Sequence, residues 1–318
     1  MKIIKKILIA IGIIILILIV AVIILLWIVS KQPAVKDNYY ELTETSLPLE
    51  AKYTALGQYE VSYAEFEAEN ETYKKYEVWY PTEMETSDNA YPLVVMANGT
   101  GVPASKYPAV FRHLASWDFI VVGNDDGSSF NGESSAKCLD YLMKLNKDSN
   151  SIFYQHIDTE NIGVAGHSQG GVGAINAVTA QENGNLYKAM YTASTTHIEL
   201  ADGLGWHFDI EKVKIPYFMV AGTLAADAGN TEEDPNVVGI APLWSLQQNF
   251  DAIDSDITKV LARRVNTDHG DMLPKADGYM TAWFIYWLKG DKEAGKVFFG
   301  ENAEILTNTN WQDVKTNP

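Results

Sequence analysis

A single serine between glycines marks the part of this sequence with the clearest chemistry. Residues 162–178 read IGVAGHSQGGVGAINAV, in which an apolar run leads into Gly166-x-Ser168-x-Gly170 and then into small and apolar residues. This spacing is typical of a nucleophile on a sharp turn between a strand and a helix, where the hydroxyl is pushed clear of the backbone. We therefore predict that Ser168 is a catalytic nucleophile, and an ordinary serine-containing turn is the alternative.

A serine hydroxyl needs a base to remove its proton, and histidine is the side chain best suited to that task. The sequence has six histidines. His269 stands in the polar stretch NTDHGDML, directly after the strand-like run KVLARRVN, which we take as the last strand. Loops at the carboxyl ends of parallel strands collect active-site groups, so we predict His269 as the base. The loop residues His197 and His207 are the alternatives. The other histidines are expected to pack or lie at the surface, or, for the neighbour of the serine, to point away from it: His113, His156 and His167.

The imidazole needs a carboxylate that fixes its tautomer and stabilises its positive charge. In chains where strands and helices alternate around such a serine, the order is serine, acid, histidine. Asp227 is the first carboxylate after the strand-like run YFMVAGT, and we predict it as the acid. Three acids further along the same loop remain alternatives: Glu232, Glu233 and Asp234.

Attack on a carbonyl also requires two donors for the oxyanion that forms. The backbone N–H of Gln169, directly after the nucleophile, is the first predicted donor. The second is expected in the segment ANGTG after an earlier strand, where Thr100 is preferred over Gly99. An ordinary Asn-Gly turn is the alternative reading of that segment.

The elements that must position these residues follow from the alternation of the sequence. Apolar, β-branched and aromatic runs such as YPLVVMANG, FIVVGNDDG and IPYFMVAGT end in turn residues, as buried strands do. Between them lie stretches with helical spacing, such as ESSAKCLDYLMKL and PLWSLQQNFDAI. The alternation predicts an α/β fold with a doubly wound, mostly parallel sheet.

Composition bounds the function classes. The chain has 318 residues and a formal net charge of −17, so phosphate-rich nucleic acid would be repelled and is not expected as a partner. The only cysteine is Cys138, which excludes an intrachain disulfide and cysteine-based metal sites. We expect no metal site.

The N-terminus predicts a membrane anchor. After MKIIKK, the run from Ile7 to Val29 carries no charge and is long enough to span a bilayer as a helix. Lysines are more numerous before this run than directly after it, which favours a cytoplasmic N-terminus and an extracytoplasmic remainder. We expect residues 1–30 to be an uncleaved anchor, residues 31–50 a tether, and residues 51–318 one catalytic domain.

The combination of these motifs resembles the α/β-hydrolase superfamily. The resemblance rests on VVMANGTG, GVAGHSQGG, VAGTLAAD and DHGDM in this order, and within the superfamily it is to the compact branch of dienelactone hydrolases, chlorophyllase-like proteins and cutinase-type polyester hydrolases. It implies a triad of Ser168, Asp227 and His269, no cofactor, and hydrolysis of an ester-like bond. The sequence departs from many members at Asn98, where they carry histidine. The stretch TTHIELADGLGWHFDIEKVK between the sixth and seventh strands is too short for a large cap domain.

The sequence thus predicts a membrane-anchored, extracytoplasmic serine esterase. Its expected partners are a small-molecule or polymeric ester as substrate, and the membrane through the N-terminal helix. A peptidase or amidase with the same triad is the nearest alternative. An inactive hydrolase fold that serves as a surface binding module is a third reading.

Overall fold

The computed structural model describes residues 15–25, 32–229 and 238–317, and it divides into two units, Met1–Ala34 and Val35–Pro318. In the first unit, residues 15–25 form helix α1, whose side chains are exposed. Among the described residues, no helix has both the length and the apolar character that crossing a membrane requires. The remaining parts of the predicted span Ile7–Val29, residues 7–14 and 26–29, lie outside the described residues.

The second unit is built on one sheet, which has nine strands in the described part of the chain. Its spatial order is β1-β2-β4-β3-β5-β6-β7-β8-β9. The strands from β3 to β8 pair in parallel, whereas β1, β2 and β9 join antiparallel at the two edges. The bounds are β1 Val61–Glu67, β2 Lys75–Pro81, β3 Tyr91–Ala97, β4 Ile120–Asn124, β5 Ile157–His167, β6 Tyr187–Ala193, β7 Tyr217–Gly222, β8 Lys259–Arg264 and β9 Trp311–Asn317.

Helices cover both faces of this sheet, as the alternation in the sequence predicts. Their bounds are α2 Tyr39–Leu42, α3 Pro48–Thr54, α4 Pro108–Ser116, α5 Glu133–Leu145, α6 Gln169–Thr179, α7 Ile198–Gly203, α8 Ala225–Ala228, α9 Leu243–Ala252, α10 Met272–Lys275, α11 Asp277–Lys289, α12 Lys292–Gly295 and α13 Glu304–Thr307. Short 3₁₀ turns occupy Thr82–Thr86, Ala104–Lys106, Gly184–Leu186, Ile210–Lys212 and His269–Asp271.

The two faces of the sheet bury separate apolar cores. Every residue of β3 is buried, because helices lie on both sides of it. Side chains alternate along a strand, so Val94 joins the core under α4 and α11, and Val95 joins the core under α5, α6 and α9. This arrangement makes the sheet a rigid platform for the loops at the carboxyl ends of its strands.

The structure differs from two predictions, the tether at residues 31–50 and the identity of the last strand. Residues 35–50 are not a simple tether, because Val35 and Tyr39 are buried in the core and Glu50 pairs with Arg264 at 3.0 Å. The strand β8 is not the last one, since β9 pairs with it at the edge of the sheet. Both segments are polar in sequence and owe their order to contacts with distant residues, which local periodicity does not display.

A buried histidine ties the start of the second unit to α11. His113 Nδ1 lies 2.8 Å from Asp277 Oδ2, which also accepts a hydrogen bond from the Tyr39 hydroxyl. His113 Nε2 faces the carbonyl oxygens of Thr54 and Ala55, each at 2.9 Å. Burial by itself would lower the pKa of His113, but the Asp277 carboxylate and the two carbonyls outweigh burial, and the pKa is raised. The surroundings therefore favour the charged imidazole. His113 is a packing residue, as expected.

Candidate active site

The sharp turn predicted around Ser168 is present between β5 and α6. Ser168 has φ of 60° and ψ of −124°, a backbone conformation that is costly for a residue with a side chain. A Cβ on Gly166 would lie 1.9 Å from the carbonyl oxygen of Gly170, so only glycine permits the strand and helix to approach this closely. The turn holds the half-buried Ser168 at the carboxyl edge of the sheet, beside the first turn of α6.

Asp227 and His269 come together at the same edge from two other strands. Asp227 lies in α8 after β7 and is fully buried, and His269 opens the 3₁₀ turn after β8. The His269 Nδ1 is 2.7 Å from Asp227 Oδ1. Because an ionised carboxylate only accepts hydrogen bonds, Nδ1 carries a hydrogen and Nε2 of the neutral ring is left unprotonated. The His269 side chain is 18% exposed, so it reaches the solvent-facing side of the site.

The second oxygen of Asp227 is held by two donors that the sequence did not indicate. Ser194 Oγ donates to Asp227 Oδ2 at 2.5 Å, and the backbone N–H of Gly222 donates to the same oxygen at 2.6 Å. Ser194 directly follows β6, is fully buried and has φ of 52°. A polar residue at the carboxyl end of a parallel strand was the available signal, and it is too common to single out Ser194 by itself.

Asp268 joins the loop of His269 to the loop of Asp227. Its Oδ1 accepts the backbone N–H of His269 at 2.9 Å and that of Ala226 at 3.0 Å. The carboxylate thereby fixes the backbone on both sides of the Asp227–His269 contact. Sequence reasoning gave no role to Asp268, because its partner in the other loop is distant along the chain.

His167, which was expected to point away from Ser168, contacts the loop that carries His269. Its Nε2 lies 2.8 Å from the carbonyl oxygen of His269, and the two ring centroids are 4.6 Å apart. His167 is the last residue of β5, and the fold brings the loop after β8 against its ring. The sequence around His167 does not show this contact, because its partner is distant along the chain.

The first predicted oxyanion donor occupies the start of α6. Gln169 is buried and is the first residue of the helix, where backbone N–H groups have no acceptor inside the helix. Its side chain is used elsewhere, since Oε1 accepts the N–H of Ser129 at 3.0 Å. That contact fixes Gln169 against the loop that follows β4.

The second predicted donor lies in a tight turn beside the serine. The N–H of Val102 donates to the Gly99 carbonyl at 3.1 Å, and φ of 65° at Gly101 gives a type II turn with Thr100 at its second position. Thr100 is exposed and Gly99 is buried. A Cβ placed on Gly99 would be 3.7 Å from the Cβ of Ser168, so this turn adjoins the nucleophile position.

Asn98 directly precedes the Gly99–Val102 turn and fixes its start through side-chain hydrogen bonds. Its Nδ2 donates to the backbone oxygens of Asn124 and Asp126 at 2.9 and 3.0 Å, and its Oδ1 accepts from the Tyr107 hydroxyl at 2.7 Å. Asn98 is fully buried. At the position where many α/β-hydrolases carry histidine, Asn98 thus links the loop after β3 to the end of β4 and the loop that follows it.

The histidines named as alternatives to His269 make contacts elsewhere in the fold. His197 Nδ1 accepts the backbone N–H of Leu200 and caps α7, and His207 pairs with Asp202 at 2.7 Å on the surface. The alternative acids Glu232, Glu233 and Asp234 lie outside the described residues. Within the described part of the chain, no group of three or more histidine, cysteine or acidic side chains is placed to hold a metal ion.

The mixed sheet, its helices and the turn after β5 fit an α/β-hydrolase. The model of the PET hydrolase-like family (PETase) matches residues 37–223, and the chain belongs to this family of hydrolases. The predicted resemblance to α/β-hydrolases of the polyester-hydrolase type is therefore confirmed. The match includes Ser168 and ends before Asp227 and His269. No curated protein matches the chain.

Proposed function

We propose that this protein is a serine hydrolase that cleaves carboxylic esters through an acyl-enzyme on Ser168. The observation that carries the proposal is the 2.7 Å contact between Asp227 and His269, on loops that meet at the edge where Ser168 stands in a strained turn. Membership of the PET hydrolase-like family supports an ester as substrate.

In the proposed reaction, His269 Nε2 takes the proton of Ser168 while Oγ attacks the acyl carbon. Asp227 holds the ring through Nδ1 and stabilises the imidazolium that forms. The backbone N–H groups of Gln169 and Thr100 stabilise the oxyanion. The imidazolium then gives its proton to the leaving alcohol, and water, activated by His269, releases the acid and restores Ser168.

The site suits small or polymeric esters. Residues 194–216, between β6 and β7, hold only the six-residue α7 and a short 3₁₀ turn, so no large cap domain is inserted there. The family is named for hydrolysis of a polyester, which supports a polymeric ester as one substrate class for this chain.

A covalent probe and a substrate pair test this function. The full-length chain in detergent should be labelled by a fluorophosphonate and should hydrolyse p-nitrophenyl butyrate, and Ser168→Ala should abolish both. Faster turnover of an aminoacyl p-nitroanilide than of the ester would instead indicate a peptidase or amidase. Absence of labelling and of both activities in the folded protein would indicate a binding module.

We also propose that the N-terminal segment anchors the enzyme in the cell membrane, with the catalytic unit outside. The uncharged run from Ile7 to Val29, and the excess of lysines before it, support this topology. Protease added to intact cells should remove the catalytic unit, and the membrane-bound protein should retain its first residues. Recovery of a secreted form with a shortened N-terminus would contradict the anchor.

A further inference from the structure

We propose that His167 is a positioning residue for the base, which it holds in place by donating a hydrogen bond from Nε2 to the carbonyl oxygen of His269. The inference rests on the proposed function, in which His269 is the base. It assigns to the residue before the nucleophile a task in the proton transfer, although His167 itself transfers no proton.

The contact has a defined direction. A carbonyl oxygen only accepts, so the 2.8 Å contact places a hydrogen on His167 Nε2. The two imidazole rings are tilted by 40° at a centroid separation of 4.6 Å, so the ring of His167 also packs against the ring that it positions. One side chain therefore restrains both the backbone and the imidazole of His269.

The protonation state of His167 keeps this contact compatible with catalysis. Burial, followed by the neighbouring His269, lowers the pKa of His167 to about 4, so the ring is neutral at neutral pH. A neutral ring with its single hydrogen on Nε2 retains the donor and adds no second positive charge beside the imidazolium that forms on His269. The negative charge of Asp227 acts on the pKa of His167 in the opposite sense.

Three contacts together define the position of His269. Asp227 holds Nδ1, the Asp268 carboxylate holds the backbone N–H, and His167 holds the backbone carbonyl. His167 is also bonded directly to Ser168 in the chain. The base loop is thus tied to the nucleophile turn, which limits changes in the separation of the two groups that exchange the proton. A misplacement of about 1 Å at such a pair can cost up to about 10²-fold in rate.

Two variants separate the hydrogen bond from the ring packing. His167→Phe keeps an aromatic ring and removes the donor, and His167→Gln keeps a side-chain N–H at a similar reach and removes the ring. With the full-length protein and p-nitrophenyl butyrate, we expect His167→Phe to lower kcat roughly tenfold with KM within about twofold of wild type. His167→Gln should recover most of that loss. The surface variant His207→Gln serves as the control and should match wild type.

The result that would overturn the proposal is equal kcat in the two His167 variants, or a change confined to KM. If kcat fell by a similar factor in both variants, in parallel with a fall in their denaturant unfolding midpoints, His167 would contribute to stability alone.

A readout independent of turnover is the histidine ¹⁵N spectrum of the wild-type protein. It should show His167 with its hydrogen on Nε2 and neutral at pH 6, and the other tautomer or a charged ring would contradict the proposal. If the spectrum is as expected but wild type neither hydrolyses esters nor reacts with the fluorophosphonate, the proposed function is wrong and the contact is only structural.

Discussion

Ser194 Oγ lies 2.5 Å from Asp227 Oδ2 and donates a hydrogen bond to the oxygen that does not contact His269. The carboxylate is therefore held from both sides, with His269 on one oxygen and Ser194 and the N–H of Gly222 on the other. Hydrogen bonds to a buried charge are stronger than those between neutral groups. This arrangement fixes the plane of the carboxylate in the site.

Removal of the Ser194 hydroxyl should weaken catalysis without unfolding the protein. Ser194→Ala leaves Asp227 Oδ2 with one donor, and loss of a hydrogen bond to a charged group costs about 1.5–3 kcal/mol. We expect kcat with p-nitrophenyl butyrate to fall about tenfold, since only part of that cost is expressed in the transition state. The matched control is Ser116→Ala, which removes a buried hydroxyl at the C-terminal end of α4. A fall in stability but no fall in kcat for Ser194→Ala would show that the contact serves folding only.

The proposed acid, Asp227, can be tested against three acidic residues that follow it in the chain. Asp227→Asn keeps the shape of the side chain but removes the charge and favours the wrong imidazole tautomer, a change that costs roughly 10⁴-fold in the best-studied triad. We expect kcat to fall by at least about 10²-fold. Glu232→Gln, Glu233→Gln and Asp234→Asn should each stay near wild type in the same assay. If Asp234→Asn were inactive and Asp227→Asn stayed active, the assignment of Asp227 as the acid would be wrong.

The second proposed oxyanion donor, the N–H of Thr100, can be removed by a substitution that the turn tolerates. Thr100 occupies the second position of a type II turn, where proline is favoured, and glycine precedes it. Thr100→Pro deletes the backbone N–H, and we expect kcat to fall about 10²- to 10³-fold with little change in unfolding temperature. Thr100→Ala retains the N–H and provides the comparison. If Thr100→Pro kept full activity, the N–H of Gly99 would be the second oxyanion donor instead.

The buried His113–Asp277 pair should make stability depend on pH. Because the pKa of His113 is raised in the folded state, its contribution is complete below the unfolded pKa of about 6.5 and is lost as pH rises through the folded pKa. The stability advantage of wild type over His113→Gln, measured by urea unfolding, should therefore shrink between pH 6 and pH 9. His207→Gln should follow wild type across this range. An advantage that stays constant or grows with pH would contradict a charged His113.

Much of the framework could be predicted because the signals were local. Helix α5 covers the predicted segment, and the predicted strand runs contain β3, β4 and β7. Buried strands and helices need continuous apolar runs of characteristic period, and these are visible in any window of the sequence. The strained turn at Ser168 was visible for the same reason, since the close approach of strand and helix requires glycines at neighbouring positions.

The contacts around Asp227 and His269 could not be predicted from local sequence signals. Ser194, Asp268 and the ring of His167 each act through a partner in another loop, and nothing in their immediate sequence marks them. The same applies to β9, which is polar and depends on pairing with β8. Pairing with a distant segment adds no local periodicity.

The sequence by itself determined the fold class, the turn at Ser168, and the two loops from which an acid and a base could come. Those features follow from residue types at short spacing, because backbone geometry and local burial decide them. Only the tertiary structure decided that Val35 and Tyr39 pack into the core, that His167 contacts His269, and that Ser194 completes the surroundings of Asp227. These depend on where the parallel strands bring their carboxyl ends, and the sheet assembles that edge from segments far apart in the chain.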